Sequence, residues 1–92
     1  MQVEWTKLAA RDLYQIKSYI HKDNPEVARK VAISIAGYAE TLAEFPNRGR
    51  VGRLYNTKEL ILIDLPYIIV YRVKKKIVQI LRVIHTSRKW PV

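Results

Sequence analysis

Between Glu59 and His85 the chain carries three strand-like apolar runs joined too tightly for anything but an antiparallel sheet. A parallel return would need a crossover of a dozen or more residues, and no such length is present here. The first run, Leu60 to Leu65, lacks a helical period and ends at Pro66, which cannot donate to a ladder. Tyr67 to Val73 is rich in β-branched and aromatic residues. Alternation places Tyr67, Ile69, Tyr71 and Val73 on one face and Ile68, Val70 and Arg72 on the other. Lys74-Lys75-Lys76 makes a charged turn. In the third run, Val78, Ile80, Arg82 and Ile84 are expected to share one side, with Ile77, Gln79, Leu81, Val83 and His85 opposite.

The preceding residues read as cover for that sheet. Val3 and Trp5 alternate with Gln2 and Glu4, as in a short strand added to it. Thr6 is the expected N-cap of a helix running to about Ile20, with Ala9, Leu13, Ile16 and Ile20 as its apolar stripe and Tyr14 outside it. Asn24 and Pro25 are an N-cap and first helical residue for a second helix. Its stripe is Ala28, Val31, Ala32, Ile35, Ala39 and Leu42, and Phe45-Pro46 ends it. Gly37 lies within it and is expected to mark close backbone contact. The short join predicts an αα-hairpin. Leu54 and Tyr55 are expected to begin a small strand or to pack their loop onto the core. The whole is an α+β fold in one domain over residues 1–92: N-terminal strand, helical hairpin, antiparallel sheet.

Charge divides unevenly. Residues 1–45 hold six basic and six acidic side chains, whereas residues 46–92 hold eleven basic side chains against Glu59 and Asp64, so the whole net charge of +9 lies on the sheet half. Such a field favours nucleic acid or an acidic protein partner. No cysteine is present, so no disulfide framework or thiolate metal site is available, and no metal or cofactor is expected. There is no basic leader followed by an apolar run and no stretch long enough to span a bilayer, which leads us to expect a cytoplasmic protein without membrane contact.

The candidate contact residues fall in three places. Pro46 to Arg53 combines two glycines with Arg48, Arg50 and Arg53, a loop able to bring guanidinium groups to phosphate or carboxylate. It lacks the Lys-Ser/Thr ending of a P-loop. Arg72 and Arg82 interrupt apolar strands and need an acidic partner, solvent or a ligand; Asp64 or Glu59 is the structural partner considered for Arg72. The tail adds Arg88, Lys89 and Trp90, the last suited to stacking a base, anchoring a protein or lying over the sheet edge. His85 has two readings: an acid or base, or a hydrogen-bonded residue that orients the tail. His21, at a helix end, is explained by the helix dipole or by exposure.

Taken together, several motifs resemble the RelE/ParE superfamily, the small toxins of bacterial toxin–antitoxin modules. They are Trp5 with the early Ala-x-x-Asp-Leu segment, Pro46-x-x-Gly-Arg50, Glu59-Leu60, Pro66-Tyr67-Ile-Ile-Val-Tyr-Arg72-Val, and Ile80-Leu-Arg-Val-Ile-His85-x-x-Arg88-x-Trp90-Pro91. The resemblance spans essentially the full length and implies an N-terminal strand, a helical hairpin and a curved antiparallel sheet. RelE-like members cut mRNA on the ribosome with basic sheet residues and a tail tyrosine; ParE-like members poison DNA gyrase. Here Ile68 stands where RelE-like toxins carry an arginine, the two upstream basic positions fall near Glu59 and Ile61, and Trp90 replaces the tyrosine. An isoleucine cannot stabilise developing phosphate charge.

The His85-x-x-Arg88-x-Trp90-Pro91 ending is ParE-like. The resemblance therefore implies a type II toxin neutralised by a cognate antitoxin and directed at DNA gyrase. Its partner-binding surface would be Arg48, Arg50, Arg53, Arg72, Arg82, Arg88, Lys89 and Trp90. The alternatives are a metal-independent, ribosome-dependent mRNA endonuclease using His85, Arg72, Arg82 and Arg88, and a non-toxic binding module.

Overall fold

The computed structural model describes residues 1–91; Val92, the last residue of the tail, lies outside the described residues. Its elements are β1 (Gln2–Trp5), α1 (Lys7–His21), α2 (Pro25–Thr41), β2 (Arg50–Val51), β3 (Lys58–Ile61), β4 (Tyr67–Lys74) and β5 (Ile77–His85). One five-stranded sheet has the order β1-β5-β4-β3-β2. All pairings are antiparallel except β1 with β5, which is parallel. The long return that a parallel pair requires is supplied by everything between them, the helical hairpin included.

Both helices begin where side-chain oxygens can satisfy free N–H groups. Thr6 Oγ1 accepts from Ala9 N at 3.2 Å and donates to the Ile80 carbonyl at 2.8 Å, so one residue caps α1 and pins it to β5. Asn24 Oδ1 accepts from Val27 N, and Pro25 opens α2. The hairpin covers one sheet face. Ala9, Ile35, Ala39 and Leu42 meet Leu60, Tyr67, Ile69, Tyr71, Val78, Ile80 and Val83 there, with Leu13, Ile16 and Val31 packed around them. Gly37, expected to mark close approach, is exposed, and a Cβ built there meets nothing within 4 Å.

The sheet departs from the alternation expected of it in two places. The first strand is Lys58–Ile61 rather than Leu60 to Leu65. Leu62 N donates to Tyr67 O at 3.1 Å and Tyr67 N to Leu65 O at 2.8 Å, so the residues before Pro66 close a turn that leaves Ile63 90% exposed. In β5, Val70 pairs with Arg82 and Tyr71 with Ile80, so Leu81 is an extra, unpaired residue. This bulge reverses the alternation beyond it. Val83 joins Val78 and Ile80 in the core beneath the helices, whereas Ile84 passes to the outer face with Ile68 and Val70. The expected grouping of Val78, Ile80, Arg82 and Ile84 is therefore split.

The Pro46 to Arg53 loop is tied down from below. Tyr71 donates its hydroxyl to Pro46 O at 2.8 Å and accepts from Gly49 N at 2.8 Å. A Cβ on Gly49 would sit 2.7 Å from that hydroxyl, so glycine is required by space. Leu54 and Tyr55, expected to begin a strand or pack inward, do neither: both are exposed, Tyr55 by 97%, and the short strand lies at Arg50–Val51 instead.

Candidate partner-binding surface

The outer face of the sheet, turned away from the helices, gathers most of the residues of interest. Its centre is apolar: Ile68, Val70 and Ile84, flanked by Leu81, with Trp90 of the tail packed over them. On the β3 side, Glu59 pairs with Val70 across the ladder and Arg50 with Glu59. The Glu59 side chain is 0% exposed and takes Arg50 Nη2 at 2.9 Å, Arg53 Nη2 at 3.2 Å and the Arg53 backbone N–H at 3.0 Å. Burial pushes its carboxyl up, but the Arg53 N–H, the Arg50 hydrogen bond and the charge of both arginines outweigh it and hold the group below its usual range. A second hydrogen bond from Arg53, Nη1 to Trp90 O at 2.7 Å, fastens the tail to the loop. Arg48 donates to Thr41 Oγ1 at 3.0 Å.

On the other side of the apolar centre, Arg82 pairs with Val70 and Arg72 with Gln79. The Leu81 bulge brings the two arginines onto one face, about 7 Å apart along β4. Each is engaged. Arg72 Nε donates to Gln79 Oε1 at 2.6 Å, so neither Asp64 nor Glu59 is its partner. Asp64 accepts the Tyr38 hydroxyl at 2.6 Å instead. Arg82 forms a fork onto Asp12 of α1, Nε to Oδ2 at 2.7 Å and Nη2 to Oδ1 at 3.1 Å, and Val83 N also donates to Oδ2 at 3.0 Å. The Arg82 guanidinium carbon lies 5.6 Å from the Trp90 ring centre, a cation–π contact.

His85 belongs to a different place. It pairs with Tyr67, whose ring it meets edge-on at 5.4 Å. Ser87 N donates to its Nδ1 at 3.0 Å, and Ser87 Oγ lies 2.7 Å from the same nitrogen. With Arg88, Tyr19, Tyr67 and Asp12 it lines an open cleft of about 370 Å³ between α1 and the end of β5. Tyr67 and Arg72 lie five positions apart on β4, about 17 Å of strand. The four residues considered for cleavage are thus divided: His85 and Arg88 share the cleft, Arg72 lies on the outer face, and Arg82 is held by Asp12. Lys89 is exposed.

Three residues that organise these surfaces were missed from the sequence as site residues: Asp12, Gln79 and Tyr67. Asp12 had a signal, because it falls three residues after Ala9 and four before Ile16, inside the apolar stripe of α1. A carboxylate there needs a buried partner.

A family model described as the ParE toxin of the type II toxin–antitoxin system, parDE, matches residues 3–90. The chain belongs to the ParE toxin family. Among its relatives, a putative toxin Y4kP of Sinorhizobium fredii is 44% identical over 90 residues, covering 98% of this chain and 93% of that protein. Toxin RelE2 of Caulobacter vibrioides is 38% identical over 87 residues, covering 95% and 97%. A solved structure titled as the chromosomal ParDE TA system from P. aeruginosa superimposes with a TM-score of 0.85 at 31% identity, covering 92% of this chain and 95% of that one. The ParE branch of the RelE/ParE superfamily, with its N-terminal strand, helical hairpin and curved sheet, is thereby the place of this ParE-family chain.

Proposed function

We propose that this ParE-family toxin acts by binding DNA gyrase and is neutralised by a cognate antitoxin. One observation carries the reading: the outer sheet face is an apolar patch closed by Trp90 and rimmed by arginines already bound to Glu59, Asp12 and Gln79. Such a surface offers a protein the Trp90 ring and the half-exposed guanidinium groups of Arg50 and Arg53. It does not present free cations converging on a scissile phosphate. The purified toxin should inhibit gyrase supercoiling and accumulate cleaved DNA while leaving naked DNA and RNA intact. Absence of inhibition over a broad toxin range would end this reading.

An apolar groove on the helical side of the molecule supports a seat for the antitoxin. Trp5, Ala10, Leu13, Ala32 and Ala36 line an open apolar groove of about 470 Å³ along the helical hairpin, bordered by Tyr14 and Lys17. An amphipathic antitoxin segment would cover it, and acidic groups of the antitoxin that continue onto the sheet half would offset part of the +9 charge there. Co-purification with the product of the neighbouring small reading frame tests the pairing, and failure to form a stable complex would count against it.

A second reading rests on the His85 cleft, where an imidazole, Arg88 and the Tyr19 and Tyr67 rings converge without the rest of the quartet. Ribosome-dependent mRNA cleavage from there would appear as discrete mRNA ends on translating ribosomes after toxin addition. Without such ends, this alternative fails.

A further inference from the structure

Strand β4 turns into β5 through Lys75 and Lys76 alone, since Lys74 pairs directly with Ile77. Both turn residues are left-handed, with φ of 51° and 62°. A two-residue hairpin with both central φ positive is type I′ geometry, the turn that Asn-Gly fills best because its twist suits the strands. Lysine is poorly suited to it. Its Cβ crowds the following carbonyl in this region, and its side chain has no oxygen to hydrogen-bond locally as Asn or Asp does. Two adjacent residues are therefore strained at an exposed turn, where no packing demands lysine.

Among the described residues, no ion pair takes up these charges: the basic members of the ion pairs are Arg29, Arg50, Arg53 and Arg82. The carboxylates of the sheet half are occupied, Glu59 by two arginines and Asp64 by the Tyr38 hydroxyl. Pairing of β4 with β3 stops at Tyr71, so Arg72 to Lys74 and the turn project beyond β3. Lys74, Lys75 and Lys76 are all exposed.

We propose that this lysine hairpin tip is a nucleic-acid contact that holds the phosphate backbone of duplex DNA without reading its sequence. The chemistry favours DNA over an acidic protein. A protein interface is anchored by aromatic or aliphatic groups in its core, where lysine is depleted, and Lys74 to Lys76 supply no such anchor. Phosphates, by contrast, need only mobile point charges, which lysine provides. The contact is independent of what the toxin inhibits, so it stands or falls apart from the gyrase reading.

Fluorescence anisotropy of the full chain with a labelled 20-base-pair duplex of arbitrary sequence, from 50 to 200 mM KCl, tests it. Three phosphate contacts give a slope of log affinity against log salt of about −2.7 or steeper. Lys75→Asn/Lys76→Gly installs the favoured turn and removes two charges. It should melt no lower than wild type, reduce the slope by about 1.8 and weaken binding at 0.1 M salt roughly 60-fold. Lys74→Gln, at an ordinary strand position, should reduce the slope by about 0.9. Lys22→Gln/Lys30→Gln removes the same charge from the helical half and should leave the slope nearly unchanged. The proposal is overturned if wild type does not bind at 50 mM, if the hairpin and helix variants lose affinity equally, or if the hairpin variants bind duplex as wild type does. Hairpin-dependent binding of poly-glutamate together with hairpin-independent DNA binding would point to an acidic protein and equally overturn it.

Discussion

Replacing Asp12 with alanine tests whether helix and sheet are locked together by one carboxylate. The Asp12 side chain is 7% exposed and that of Arg82 19%, and the carboxylate receives two guanidinium N–H groups and the Val83 amide. Truncation strands a largely buried cation and leaves a buried N–H without a partner. Removing one member of a buried pair costs about 3–5 kcal/mol. Because solvent still reaches part of the guanidinium, the lower end, about 3 kcal/mol, is the appropriate figure. A domain of this size has roughly 5–14 kcal/mol in total, so the loss is a large fraction of its stability. Urea unfolding should show a midpoint lower by about 2 M at an m-value of about 1.5 kcal/mol/M, and the melting temperature should fall by roughly 12–24 °C. Arg82→Met should cost a similar amount by stranding the carboxylate. Asp12→Asn/Arg82→Met keeps an acceptor for the Val83 amide and removes both charges, so it should recover to within about 1 kcal/mol of wild type. The reasoning is refuted if Asp12→Ala costs under about 1 kcal/mol, or if Asp12→Asn/Arg82→Met is no more stable than Arg82→Met alone.

Other perturbations have equally definite outcomes. Glu59 has a folded-state pKa below the ordinary 4.5, so its contribution to stability is fully present above that value and is lost as pH falls through the lowered one. Glu59→Gln should therefore flatten the acid limb of a stability–pH curve measured by urea titration, and an unchanged limb would contradict the assignment. Gly37→Ala, at an exposed helical position where a Cβ meets nothing, should raise stability by about 1 kcal/mol in thermal unfolding. Gly49→Ala drives a methyl to 2.7 Å from the Tyr71 hydroxyl and 3.0 Å from Glu59 O, and should lower stability by about 1–3 kcal/mol in the same assay.

Much of this fold was legible because its signals are local. Thr6, Asn24 and Pro25 mark the helix starts where the structure has them, and the stripes through Ala9 and Ile35 face the sheet. Alternation separates Tyr67, Ile69 and Tyr71, which meet the helices, from Ile68 and Val70, although both faces of β4 are buried. The illegible parts depend on register and on distant partners. Nothing in Ile80-Leu81-Arg82 announces a bulge, since each residue suits a strand; only the pairing with Val70 and Tyr71 reveals it. The ion pairs are similarly hidden. Asp12 and Arg82 lie seventy residues apart, and Glu59 meets Arg50 and Arg53 only because β2 folds back on β3.

The bulge is also what gives the outer face its character. With unbroken alternation, residues 82 and 84 would point beneath the helices, placing Arg82 in the apolar core and leaving Val83 outside. One extra residue at Leu81 sends Arg82 outward to reach Asp12 and lie against the Trp90 ring, while Ile84 completes the patch that this ring covers. Position 59 contributes a buried carboxylate to the same face, and position 68 an isoleucine. Arg50 and Arg53 at its rim hold the loop through Glu59, and Arg53 and Arg82 hold the tail. The face is organised around an aromatic lid, held at its carbonyl by Arg53 and at its ring by Arg82.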